Sequence, residues 1–161
     1  MTDEHDIKEK FFKALKSDRT IMLGLSGSQV AQPRPMTALL EDGAEEGPIW
    51  LFTSNETELG RIQIPNAPAC ATFASKGHNV FATFHGNLTV NNDRDMIERL
   101  WNPFVGAWFE GKDDPKITLL RFDLSDAEIW IDASSLLAGI KILLGADPKR
   151  DYEDKVAKVQ L

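Results

Sequence analysis

The sequence predicts a mainly β (α+β) fold, about six strands in a closed or half-closed β-barrel with peripheral helices. Three observations carry this. Short apolar segments of strand length recur between turn-forming residues, at 20–25, 33–40, 48–54, 69–74, 80–90, 117–124 and 128–131. Helical patterns do not alternate regularly with these strands, and no glycine-rich fingerprint follows any of them, so a doubly wound α/β sheet fits poorly. The 161 residues, 42% hydrophobic and 27% charged, suit one domain (1–161) with a sizeable core, residues 146–161 forming a possible C-terminal arm.

In chain order, residues 4–16 place Ile7, Phe11, Phe12 and Leu15 on one face, the pattern of an amphipathic helix docked on a core. Thr20–Leu25 is a first strand. Pro33 and Pro35 then mark an edge or strand-start position, because proline gives no N–H to a central ladder. Two short apolar segments follow, 33–40 and 48–54, joined by the acidic, glycine-containing Glu41–Gly47. That connection predicts a hairpin whose antiparallel pairing brings Arg34 and Thr37 to the same edge as Thr53 and Ser54.

After Ser54 comes a polar loop with a short helix, stopped by Pro65 and Pro68. Ala69–Ala74 and Val80–Val90 are strands around a turn at 75–79, the second bent or bulged at Gly86. Asn91 or Asn92 is the expected cap of a helix running to Trp101. Phe104, Val105, Trp108 and Phe109 form an aromatic segment, and residues 117–124 and 128–131 form a second hairpin turning at Ser125-Asp126. Ser134 or Ser135 caps a final helix through Leu144, stopped by Gly145. The remainder ends in loose alternation at Val156, Val159 and Leu161, an arm or a strand added to another sheet.

Composition excludes several functions. A net charge of -7, spread along the chain, lacks the basic footprint that nucleic acid or an anionic membrane demands. The single cysteine, Cys70, rules out an intramolecular disulfide or a cysteine-built zinc site, and His5, His78 and His85 share no ligand spacing. No metal is expected. The acidic N-terminus lacks the apolar core of a secretory signal, and no apolar run reaches membrane-spanning length, which predicts a cytoplasmic protein. No Ser-His-Asp motif or carboxylate pair stands out. Trp101, Trp108 and Trp130, with Phe104 and Phe109, are core or subunit-interface residues on this reading. What remains is Arg34 among Thr37, Thr53, Ser54 and Thr57, chemistry suited to a phosphate, beside the flat apolar face of Phe52. Spacing alone does not separate an anion clamp from a rim arginine with routine capping hydroxyls.

The runs RPMTALL and GPIWLFTS, followed by HGNLTVNNDRDMIERLWNPFVGAWFEGKDDPKITLLRFDLSDAEIWID, resemble the bacterial general stress proteins of the pyridoxamine 5'-phosphate oxidase-like superfamily. The resemblance runs from the first helix through Trp130. It implies an FMN-binding split β-barrel, homodimeric, with two flavin sites at the subunit interface and FMN, or FAD, as cofactor. On that pattern Arg34 reaches the flavin phosphate, and Pro35, Met36 and Thr37 lie along the ring system and ribityl chain. Phe52 and Thr53 touch the isoalloxazine, Ser54 and Thr57 add hydroxyls, and Trp130 and Trp108 flank the ring from the partner side. One departure stands out: Leu59 occupies the place where relatives carry a phosphate-binding lysine. A lost charge-assisted bond there weakens phosphate affinity by on the order of 1–3 kcal/mol. The implied activity is flavin-dependent oxidoreduction with NAD(P)H as reductant. The alternatives are a non-catalytic or sensory flavin module, or a barrel dimer that takes haem or a deazaflavin. Oxidation of pyridoxamine phosphate itself is not expected, because Asp147–Tyr152 does not match the C-terminal segment that activity needs.

Overall fold

The computed structural model describes residues 4–131 and 156–161. The helix expected after Ser134 or Ser135, and the segment 146–155, lie outside the described residues. A helix, α1 (Glu4–Asp18), is followed by β1 (Thr20–Ser26), β2 (Val30–Thr37), β3 (Ile49–Ser54), a 3-10 turn (Leu59–Arg61), β4 (Ala67–Ala74) and β5 (Val80–Val90). Two short helices, α2 (Arg94–Leu100) and α3 (Pro103–Gly106), precede β6 (Ile117–Ile131), and β7 (Val156–Gln160) closes the described chain.

All ladders are antiparallel and the strand order is β2-β1-β4-β5-β6-β3, with β7 paired to β6. The two ends of this path meet at one isolated bridge, Leu39 to Trp50. This is the expected mainly β, barrel-like architecture with a few helices. The final alternation of the sequence is a strand added to the outer half of β6, Ala127 opposite Val159 and Trp130 opposite Val156.

The barrel interior follows the strand period of two. Ile21, Leu23, Ala69, Ala71, Phe84, Leu88, Leu51, Leu120, Phe122 and Ile129 are buried and form one core. Helix α1 lays Ile7, Phe11, Phe12 and Leu15 against it. The Phe11 ring meets Phe84 at 5.3 Å and Phe73 at 6.2 Å, both near edge-on. Each buried phenylalanine contributes roughly 1.5–3 kcal/mol, so this helix is held by packing more than by its own propensity. A second core lies outside the barrel, where α2 and α3 cover Leu39, Trp50, Ile117 and Leu119.

Two expected hairpins are absent. The segments 33–40 and 48–54 do not pair with each other beyond Leu39–Trp50; β2 pairs with β1 and β3 pairs with β6. The edge position inferred from the prolines holds, since β2 ends the path. Residues 117–131 form one continuous strand of 15 residues, and not two joined at Ser125-Asp126. That polar pair is instead a bulge, two residues opposite the single His85, between the pairs Phe84–Ala127 and Gly86–Leu124. A bulge collects the same polar residues as a turn because it too breaks the ladder, which explains the misreading. Gly86 sits at this bulge because a Cβ there would stand 2.1 Å from the Asp123 carbonyl oxygen.

The cap of α2 is Asp93, whose carboxylate accepts from Asp95 N–H and Met96 N–H at 2.9 and 3.4 Å. The Asn92 side chain accepts instead from Leu119 N–H at 2.7 Å and ties α2 to β6. Asn102 caps α3 through the N–H groups of Phe104 and Val105.

Candidate functional site

Arg34 lies opposite Leu23 in the β1–β2 ladder, and Met36 lies opposite Ile21. Directly opposed residues share a sheet face, so Arg34 and Met36 belong to the barrel's interior face. Thr53, opposite Thr118, faces inward with Leu51 and is buried. Pro35 and Thr37 lie opposite Met22 and Thr20, on the outer face. The residues expected in one site therefore divide between two faces.

Arg34 is half-buried, and its Nε is enclosed with no hydrogen-bond partner among the described residues. A buried donor on a permanent cation is costly unless an acceptor meets it, so this end of β2 has an unmet demand for an anion or a carbonyl.

At the far end of β3 the chain turns tightly. Thr57 donates its hydroxyl proton to the Ser54 carbonyl at 2.9 Å and accepts from Gly60 N–H at 3.0 Å. Its remaining lone pair then takes the Thr53 hydroxyl at 2.8 Å. Thr57 thereby engages one proton and two lone pairs within the loop. It fastens the loop. Ser54 Oγ accepts from Glu56 N–H at 3.2 Å and keeps its own proton to give. Leu59, fully buried, points into the barrel core. Gly60 lies so close to β3 that a Cβ would approach the Ser54 carbonyl oxygen to 2.0 Å.

Phe52, on the outer face, meets Trp101 edge-on at 6.1 Å, and Trp101 meets Phe109 at 6.5 Å. Trp101 is thus the aromatic neighbour of Phe52, with Phe109 on its other side, which their sequence positions did not announce. Trp108 and Phe104, at 84% and 75% exposure, stand on the surface of the chain and are no part of its core.

Trp130 lies opposite Phe81 and helps to line an open concavity of about 660 Å³ on the outer sheet face, with Thr20, Met22, Thr72 and Thr83. Thr37 and Pro35 continue this face through their ladder partners Thr20 and Met22. The alternation of Thr20/Met22 and Thr72/Ala74 with buried neighbours was the available signal for it. The outer face thus offers an apolar floor with threonine hydroxyls, and the inner face offers a cation.

Cys70, opposite His85, is half-buried; burial, and then the Asp126 carboxylate, push its thiol above its ordinary value. His85 Nδ1 lies 3.2 Å from Asp126. A raised thiol is a poor nucleophile. Among the described residues no group of His, Cys, Asp and Glu is placed to hold a metal ion, and no helix is long and apolar enough to cross a membrane.

Residues 6–153 match the family model described as pyridoxamine 5'-phosphate oxidase like. General stress protein 26 of Bacillus subtilis (strain 168) is 25% identical over 130 residues, 79% of this chain and 90% of that protein. Among solved structures, a general stress family protein of Xanthomonas campestris pv. campestris is 49% identical, with a TM-score of 0.75 over 88% of this chain and 97% of its own. The general stress FMN/FAD binding protein from Xanthomonas citri is 50% identical, with a TM-score of 0.74 over 85% of this chain and 96% of its own.

Proposed function

The chain belongs to the pyridoxamine 5'-phosphate oxidase-like family, and from that premise we propose that it is a flavin-binding stress protein of the cytoplasm, one split-barrel domain acting as a homodimer. The observation that carries the reading is the enclosed Nε of Arg34, a cationic donor with no partner among the described residues. An anionic ligand end at β2 meets that demand. The half-identical relative from Xanthomonas citri, an FMN/FAD binding protein, supports a flavin as the ligand. FMN, or FAD, would supply two-electron redox chemistry when bound.

Arg34 takes the phosphate in this reading. On the outer face Pro35 and Thr37 run along the ribityl chain and ring, with Phe52 and the Ser54 hydroxyl from β3, while Met36 and the buried Thr53 back them from the inner face. Trp130, on the outer face, flanks the ring from the partner, and the highly exposed Trp108 is a further contact on that side. The surface position of Trp108 suits a residue whose contacts lie in another copy. The protein's part in this reading is to position and shield the ring. Turnover as an oxidoreductase using NAD(P)H follows as the catalytic version of this proposal.

The test is a visible absorption spectrum of the freshly purified protein, with mass identification of any chromophore released by heating. A two-banded flavin spectrum is expected. A colourless protein that takes up neither added FMN nor added FAD overturns the proposal.

A further inference from the structure

We propose that a cleft of about 500 Å³ beside the barrel closure is a second ligand site, one that takes a small organic monocarboxylate with an apolar body. The cleft lies between the end of α1, the chain that follows β2 and the end of α2. Arg34, Phe52 and the other residues assigned to the flavin lie outside its lining, and the inference does not rest on the flavin reading.

Charge sets the class of ligand. Among the described residues, Lys16, Arg19 and Arg99 line the cleft together with Glu41 and Asp42. Three basic groups against two acidic ones leave an excess of one positive charge, in a chain whose net charge is -7. A concavity of opposite sign on an acidic protein draws anions to itself. One negative charge balances it, whereas a doubly charged phosphate would face Glu41 and Asp42 uncompensated. Arg99 is paired with Glu41, Nη1 to Oε1 at 3.1 Å. Lys16 reaches from α1 to donate to the Ala44 carbonyl and holds the acidic turn at the rim. Arg19 supplies the fork. Its Nε donates to the Lys16 carbonyl at 3.2 Å, and its end-on pair of terminal N–H groups is the geometry a carboxylate accepts.

The backbone gives an independent observation. Arg19 has a φ of 60°, the left-handed conformation past a helix end that glycine or asparagine normally fills. A long cationic side chain is kept there against local preference, and such exceptions gather at functional positions. The walls around it are fixed. The Arg19 carbonyl accepts from Ala38 N–H at 2.6 Å, Leu39 is held by Trp50 through both backbone groups, and Trp101 N–H donates to Ile97 at 3.0 Å. Leu39, Leu100 and Trp101 form the apolar side. A preformed cleft of this size, apolar on one side and cationic on the other, orients a ligand with one charged end. Trp101 also meets Phe52 edge-on, so a ligand against Trp101 is one ring removed from Phe52.

The experiment is calorimetric titration of the full chain, near neutral pH, with a naphthoate, the matching naphthamide and the matching naphthyl phosphate. The naphthoate binds about 10- to 150-fold tighter than the naphthamide, the range of one charge-assisted hydrogen bond, and the phosphate binds no tighter than the naphthoate. Glycine suits the left-handed backbone, so Arg19→Gly folds; its naphthoate affinity falls at least about tenfold, and its naphthamide affinity stays within about threefold of the parent's. Arg19→Gln, which keeps part of the stem, gives the same decision should the glycine variant not fold. Naphthoate bound equally by the parent and the folded variant overturns the inference. So does a phosphate bound more than about tenfold tighter than the naphthoate, or no naphthoate binding at millimolar concentration. A riboflavin dissociation constant that rises in proportion to added naphthoate shows one shared site and overturns it too. A protein that binds naphthoate as described but no flavin overturns the flavin reading and leaves this inference standing.

Discussion

Leu39 and Trp50 exchange two backbone hydrogen bonds, at 2.9 and 2.7 Å, and this one bridge joins the two ends of the strand path. The Trp50 indole packs in the outer core beneath α2 and α3, but its Nε1–H is buried with no partner among the described residues. Trp50→Ala therefore destabilises the fold by about 3–5 kcal/mol, through lost burial and a cavity at the closure. Trp50→Phe costs less than about 1.5 kcal/mol, because removing an unsatisfied donor offsets the smaller ring. Urea denaturation of the two variants measures the difference, and equal losses would show that the indole N–H is satisfied in solution.

Thr57→Val keeps the side-chain shape and removes the hydroxyl that gathers Thr53, the Ser54 carbonyl and Gly60 N–H. The buried Thr53 hydroxyl and the half-buried Gly60 N–H lose their partner, a cost of about 1–3 kcal/mol. The expected readout is a lower urea midpoint with an unchanged denaturant slope. A variant as stable as the parent would mean that the loop finds other donors and acceptors.

Gly60→Ala is expected to be worse than Thr57→Val. Its Cβ would approach the Ser54 carbonyl oxygen to 2.0 Å, and both atoms belong to backbone. Neither side can yield by a rotamer change, so the 3-10 turn must move off β3, and the Leu59 side chain must move with it. Flavin affinity and thermal midpoint should fall together. A fall in stability alone would separate the turn from the site.

Cys70 should alkylate slowly. Burial, and then Asp126, hold its thiol above the ordinary value of 9.0, so the reactive thiolate is scarcer in the native state at any pH near neutrality. Iodoacetamide rates are expected to keep rising at pH values where a free thiol has levelled off. The linked stability follows from the sign of the shift. It is fully present below the unfolded thiol's value and is lost as the pH rises from there through the higher folded value. Alkylation as fast as in the unfolded chain at pH 8 would contradict the burial.

Asp114 behaves in the opposite sense. The N–H groups of Glu110 and Lys116 each donate to its carboxylate at 2.9 Å and hold it below the ordinary carboxylate value. Its contribution to stability is present above the unfolded value and is lost as the pH falls through the lower folded value. Carbonyl-detected titration should place Asp114 below the ordinary carboxylate value. A titration at the ordinary value would remove the bonds.

Much of the fold was legible from local pattern. The alternation in β4 and β5, the prolines of β2, the helical face Ile7–Phe11–Phe12–Leu15 and the bulge at Gly86 all express nearest-neighbour chemistry. The two misplaced hairpins had a common cause. Glu41–Gly47 and Ser125-Asp126 carry residues suited to reversing the chain, but pairing partners are chosen by which apolar faces can close one core, and that choice is not local.

The sequence by itself determined the elements, the mainly β class and Arg34 as the residue on which an anion reading turns. Read locally, it set Arg34 and Thr37 at one edge, whereas in the β1–β2 ladder they lie on opposite faces. Only the tertiary structure decided that Arg34 keeps an unmet Nε inside the barrel wall while Thr57 spends its hydroxyl on its own loop. It also decided that Leu59 belongs to the core and that Phe52 meets Trp101. The physical reason is that hydrogen-bond satisfaction and burial are properties of surroundings, and strands far apart in the chain supply those surroundings.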